Sequence, residues 1–137
     1  MRRTGGFTLL EILVVVGILA ILASTSLLGY RKAVERTYWR TAQDTLRAIY
    51  AGEQVYWTGV DSFIQPTGCA PAWQCIGMDN PNNAPNNPTQ FVIDGATVAA
   101  FRATAARGDG RCMSIDQANA FATNSGLGGC TTDWSFP

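Results

Sequence analysis

From residue 7 to residue 28 the chain reads FTLLEILVVVGILAILASTSLL, apolar or small and uncharged at every position except Glu11. At ~1.5 Å of rise per residue, a helix of that run extends about 33 Å, enough to cross the hydrocarbon core of a bilayer. Past it the pattern changes. Val34, Tyr38, Ala42, Leu46, Ile49 and Tyr56 recur at helical spacing, and Arg36, Arg40, Gln43, Arg47 and Gln54 fall on the opposite side. This predicts an amphipathic helix to about Trp57 whose apolar stripe packs on a sheet while its charges face water. Basic residues beside a span are common, so Arg31, Lys32 and Arg36 read first as solvated charges; a sharper reading has them touch lipid headgroups before assembly.

Residues 58–90 hold five prolines and the run DNPNNAPNNPTQ, a composition that predicts an irregular surface connector. Strand signals begin at Phe91. FVID and TVAAFRATAA are separated at Gly95, GDG at 108–110 is a hairpin turn, and RCMSID at 111–116 is the returning strand. The outcome is a small antiparallel meander whose inner face covers the helix stripe. The tail, residues 117–137, is rich in Gly, Asn and Thr and is expected to lack regular structure. The fold class is therefore α+β: a long N-terminal helix, half membrane-spanning and half amphipathic, packed against a small antiparallel β-sheet.

Composition narrows the function. Of 137 residues, those outside the apolar run suffice for one small domain. Ten Lys plus Arg balance ten Asp plus Glu, which gives no general attraction to nucleic acid. The chain has no His, so Ser-His-Asp and Cys-His catalysis are excluded, and no Gly-rich phosphate loop follows a strand. Neither an enzyme nor a cofactor is expected. Cys69, Cys75, Cys112 and Cys130 are spaced C-x5-C and C-x17-C, without a C-x2-C pair, which favours disulfides in an oxidising compartment over zinc. Three connectivities remain open. A Cys69–Cys75 bond would pin the Pro-rich loop, and a Cys112–Cys130 bond would contribute about 3 kcal/mol in the chain-entropy model. Asp109 in the Gly-Asp-Gly sequence, with Asp116 and Asp133, is a candidate calcium site. Its spacing does not match an EF-hand, and Asp-Gly reads better as turn chemistry.

Glu11 needs a separate explanation. An acid facing lipid costs roughly 2.5 to 3.5 kcal/mol near a helix centre, and less near its end. A cleaved secretory signal fits poorly, because Glu11 interrupts its core and the small-x-small candidates near Ala23 are weak. A cut between Gly6 and Phe7 supplies a partner: it creates an ammonium at Phe7, four residues and one helical turn from Glu11. The helix dipole also favours an anion in the first turn. Such an ion pair can be buried between helices when subunits pack side by side.

Gly5-Gly6, then Phe7-Thr8-Leu9-Leu10-Glu11, then the long apolar run, resembles the class III signal of type IV pilins and type II secretion pseudopilins. The resemblance implies a pilin-like fold with a leader at 1–6, a membrane and filament-core helix at 7–28, and a periplasmic or extracellular globular domain at 29–137. It implies that prepilin peptidase cuts after Gly6 and methylates Phe7, and that Glu11 neutralises the amine of a neighbouring subunit. Implied partners are further pilin subunits, the peptidase, an assembly ATPase, an inner-membrane platform protein and, before assembly, membrane lipid. The expected location is the inner membrane with a cytoplasmic N-terminus, followed by a surface fibre. The alternatives are a pseudopilin, which would remain periplasmic, and a membrane-anchored periplasmic binding domain. A disulfide enclosing a C-terminal region, common in the family, matches the spacing of Cys112 and Cys130. Two departures are visible. Where many members carry a helix-kinking Pro, this chain has Ala23-Ser24-Thr25-Ser26, whose hydroxyls can bond back to helix carbonyls. With Arg2 and Arg3 before the span but Arg31, Lys32 and Arg36 after it, a bare positive-inside count does not favour a cytoplasmic N-terminus.

Overall fold

The computed structural model describes residues 6–63, 73–123 and 130–135, apart from the side chains of residues 27 and 28. It divides into an N-terminal unit, Met1–Thr37, and a second unit, Tyr38–Phe136. One helix of 52 residues, α1 (Leu9–Val60), contributes to both. In the N-terminal unit every described side chain from Phe7 to Ser26 is exposed. The hydroxyls of Ser24 and Thr25 donate to the carbonyls of Ile21 and Leu22 at 2.7 and 3.1 Å, the back-bonding that the sequence allows where a Pro is absent. The backbone stays helical throughout.

The second unit holds the core. Its part of α1 buries Ala42, Leu46 and Ile49, with Tyr38 and Tyr56 half-buried at the stripe's edge. Glu53 occupies the same stripe and is completely enclosed. Residue 52 is glycine for a local reason: a Cβ there would run into the Ile76 carbonyl. The helix ends three residues beyond the predicted Trp57. Asp61 then adopts a left-handed φ of 59° and its N–H donates to the Trp57 carbonyl at 2.7 Å, a closing turn more often given to Gly.

The sheet consists of β1 (Thr89–Asp94), β2 (Arg102–Arg107), β3 (Arg111–Asp116), β4 (Phe121–Ala122) and β5 (Thr132–Asp133). Strands β1 to β4 form an antiparallel meander in sequence order, and β5 pairs parallel to β3. Registry places Phe91 opposite Ala105 and Ala105 opposite Met113; one step along, Ile93, Ala103 and Ile115 align. Each row runs large, small, large across the three strands. Both rows share one buried cluster with Leu46 and Ile49, so the sheet's inner face and the helix stripe close a common core. The predicted α+β arrangement is present, with a long helix against a small sheet.

Three sequence-based expectations are corrected in detail. The strand expected from Thr97 begins only at Arg102. Thr97 instead makes a turn: its Oγ1 accepts from the N–H groups of Ala99 and Ala100, and its own N–H donates to the Ala100 carbonyl at 2.7 Å. The Pro-rich connector contains two 3₁₀ turns, Gln74–Ile76 and Pro81–Asn83, rather than being wholly irregular. The tail is not shed: β4 and β5 both join β3, making the sheet mixed. Trp134 then buries all but 1% of its surface. Its N–H donates to the Cys112 carbonyl at 3.2 Å, and its carbonyl accepts from Trp39 Nε1 at 3.1 Å.

Cys112 and Cys130 are disulfide-bonded, with Cα atoms 5.7 Å apart, which ties β3 to the start of the last segment. Cys75 is also disulfide-bonded, while Cys69 lies outside the described residues. At the β2–β3 turn, Gly110 takes a φ of 85°. Asp109 accepts from Arg111 three times: from Nη2 at 2.6 Å, Nε at 2.9 Å and the backbone N–H at 3.1 Å. The Arg111 guanidinium chiefly, with help from its backbone N–H and the charge of Arg107, holds the Asp109 carboxyl below its ordinary pKa against the opposing effect of burial. Arg107 lies 5.3 Å from the ring centre of Tyr38 and 5.6 Å from that of Trp134, joining helix, sheet and tail through cation–π contacts.

Two measurements follow from this packing. Trp134→Ala is expected to cost about 3–5 kcal/mol in urea unfolding of the full chain in detergent. Trp134→Phe should cost less than Trp134→Ala, because it keeps an aromatic ring in the core and the indole Nε1 it removes has no hydrogen-bond partner among the described residues. For Asp109 the lowered folded pKa means that the folded state binds fewer protons. Its contribution is therefore present above the unfolded value and is lost as pH falls through the folded one. With that side chain 42% exposed, the effect is below about 1 kcal/mol. Asp109→Asn should flatten the acid limb of the stability–pH curve by that amount.

Candidate assembly site at the N-terminus

The first turn of α1 is built by Thr8. Its side-chain Oγ1 accepts from the Glu11 N–H at 3.2 Å, and its carbonyl accepts from the N–H groups of Glu11 and Ile12 at 3.1 and 3.3 Å. Thr8 is thus the N-cap and Glu11 stands three residues into the helix, the Thr-x-x-Glu spacing of a capping box. The spacing is visible in the sequence as Thr8-Leu9-Leu10-Glu11.

This cap changes the local geometry expected for Phe7. The sequence reading put Phe7 and Glu11 one turn apart on a single helix. In the structure α1 begins at Leu9, so Gly6, Phe7 and Thr8 precede it. Phe7 is 78% exposed, and a Cβ added at Gly6 would meet nothing within 4 Å. The Gly6–Phe7 bond therefore lies in open, non-helical chain next to a defined helix start. Glu11 is the acidic residue of the first turn, where the partial positive charge of the helix end favours it.

Beyond Glu11 the helix is apolar all round. Leu13, Ile21 and Leu22 are each at least 60% exposed, and among the described residues no side chain in the run is buried. A helix greasy on every side is stable only where other apolar matter surrounds it, whether lipid or further helices. By length and composition α1 is able to cross a membrane. Arg31 and Lys32 are exposed after this run, while Arg36 is engaged by another group.

The other chemistry considered from sequence is not assembled. Asp109 is occupied by Arg111. Asp116, whose Oδ1 accepts from the N–H groups of Ala118 and Ala120, ends β3, about 17 Å along the strand from Arg111. Asp133 sits on β5 opposite Cys112. Among the described residues, no three His, Cys, Asp or Glu side chains gather to hold a metal. Glu53 was missed by the sequence reading because a carboxylate was not expected on the core stripe. The spacing 46, 49, 53, 56 would have placed it there, and it is engaged by a partner.

Residues 1–27 match the family model of the prokaryotic N-terminal methylation motif, which is the class III prepilin signal of type IV pilins and pseudopilins. That match supports a place in the type IV pilin or pseudopilin family, a structural family rather than a catalytic one, without distinguishing between its systems. No curated protein matches the chain. A pilin-type motif implies processing by prepilin peptidase and polymerisation in general, and together with the apolar helix it fits membrane anchoring before assembly.

The cap can be tested without assembly. Thr8→Ala should remove about 1 kcal/mol from the first turn, so the Glu11 and Ile12 amides exchange about fivefold faster in detergent micelles. Thr8→Ser should retain wild-type rates.

Proposed function

We propose that the chain is a structural subunit of a type IV pilus, cut between Gly6 and Phe7, N-methylated at Phe7 and polymerised through residues 7–28. The observation that carries this reading is the apolar run, exposed at every described side chain and with one acid in its first turn, in a chain bearing the prepilin signal. Before assembly, lipid surrounds the run and the basic residues after it meet headgroups. In the fibre, neighbouring helices replace lipid, and the Phe7 amine of one subunit neutralises Glu11 of another. A subunit stacked out of register would leave that carboxylate buried and unpaired, at a cost of several kcal/mol. The pairing therefore sets axial register as well as affinity.

Residues 29–137 then form the solvent-facing domain, closed by its disulfides in an oxidising compartment. An assembly ATPase and a membrane platform protein would supply work and a template. The same N-terminus would serve a secretion pseudopilin. Loss of surface fibres with secretion intact in a deletion strain supports the pilus, and the reverse supports the pseudopilin.

The direct experiment is N-terminal sequencing and intact mass of protein sheared from cells. A chain beginning with methylated Phe7 is expected, whereas a polymer beginning with Met1 would overturn the reading. Glu11→Ala should be processed and membrane-bound yet incorporated at least about tenfold less well, since one uncompensated charge pair exceeds 1.4 kcal/mol. Normal fibre yield from that variant would contradict the pairing.

A further inference from the structure

Strand β1 is at the edge of the sheet, paired with β2 on one side. Edge strands present bare N–H and C=O groups to any other strand that approaches. Here the bare groups at the strand's centre are filled by a side chain. Asn82 Nδ2 donates to the Phe91 carbonyl at 2.9 Å, and the Phe91 N–H donates to Asn82 Oδ1 at 2.7 Å. A primary amide offers one donor and one acceptor, the same pair that a residue of a neighbouring antiparallel strand would offer.

The surrounding residues hold this amide in place. Asn82 lies in the 3₁₀ turn Pro81–Asn83, capped by Asn80, whose side chain accepts from the Asn82 N–H at 2.9 Å. Asn87 adds a second contact to the edge: its Oδ1 accepts from the Thr89 N–H at 3.0 Å, while its Nδ2 donates to the Pro81 carbonyl at 3.3 Å. The repeated Pro-Asn-Asn of the connector thus supplies two amides to the outward backbone of one strand, on a frame stiffened by proline.

We propose that Asn82 is an edge cover, a side chain that imitates a strand so that β1 cannot pair with β1 of a second copy. The bare edge suits that partner. Two β1 strands placed antiparallel about Phe91 would exchange the N–H and C=O groups that Asn82 now occupies. They would set Val92, 54% exposed, against Gln90, and would keep Asp94 from facing Asp94. This inference goes beyond the proposed polymer and does not depend on it, since a prepilin that never assembles carries the same edge.

The test uses the full chain in detergent micelles, with hydrogen exchange at the Phe91 amide and size by light scattering over a concentration series. In the wild type, the Phe91 amide should be protected like its ladder neighbours; exchange at an open-chain rate would overturn the proposal. Asn82→Ala, with Asn82→Ser beside it in case the first does not fold, should speed that exchange by at least about tenfold at low concentration. As concentration rises, the variant should form a larger species in which Phe91 protection returns. Adding Val92→Lys, a charge on the exposed face of the edge strand, should restore wild-type size. A variant that keeps wild-type size throughout, or a larger species that Val92→Lys leaves unchanged, refutes the cover.

Discussion

A carboxylate set in an apolar helix must find a positive partner wherever water is excluded. In the proposed assembly that constraint falls on Glu11, which is exposed in the isolated chain. It explains why an apolar run otherwise suited to lipid carries one charge, and why the charge sits in the first turn, where the helix end already leans positive. It also gives meaning to the non-helical residues ahead of Leu9. A helix start fixed by Thr8 leaves the peptide bond after Gly6 outside the helix and places the acid just inside the cap. Cap and ion-pair partner are compatible roles, since the hydrogen bond to Thr8 uses the Glu11 backbone and leaves its carboxylate available.

The second unit answers a different requirement. A small domain has to bury one stripe of a long helix with few strands, and the alternation of bulky and small side chains across β1, β2 and β3 does this. Ala103 and Ala105 lie between larger neighbours, so the sheet's inner face is continuous beneath Leu46 and Ile49. The far end of the chain completes the enclosure. Trp134 is held by hydrogen bonds at both its N–H and its carbonyl, and the Arg107 guanidinium over its ring connects it to Tyr38 on the helix.

What could be read from the sequence divides by range. The apolar run, the helix stripe, the Gly-Asp-Gly turn and β3 all have local signatures, and β3 lies on the residues expected, Arg111–Asp116. Features decided by distant partners were not legible. Strand β5 has two residues and pairs parallel, so neither alternation nor a hairpin turn announces it. The Asn-rich connector reads as solvated chain because nothing near it in sequence shows that Asn82 reaches Phe91. Thr97 looks like strand by propensity, yet its hydroxyl competes successfully for nearby backbone N–H groups. At the candidate site, the acid and the Gly-Phe junction were legible. The cap was legible too, but the electrostatic argument obscured it.

The ring closed between Cys112 and Cys130 has a consequence for how this chain can vary. Both of its ends are fixed, one by membership of β3 and the other by the disulfide and the parallel pairing that follows it. A parallel partner is not reached by a tight two-residue reversal, so the connection from β4 to β5 is not held to the length of a hairpin turn. Doubling it would raise the closure entropy by only about 0.6 kcal/mol, a small fraction of an ordinary domain's stability. Lengthening that connection is therefore compatible with the helix, the meander and the tryptophan anchor remaining as they are.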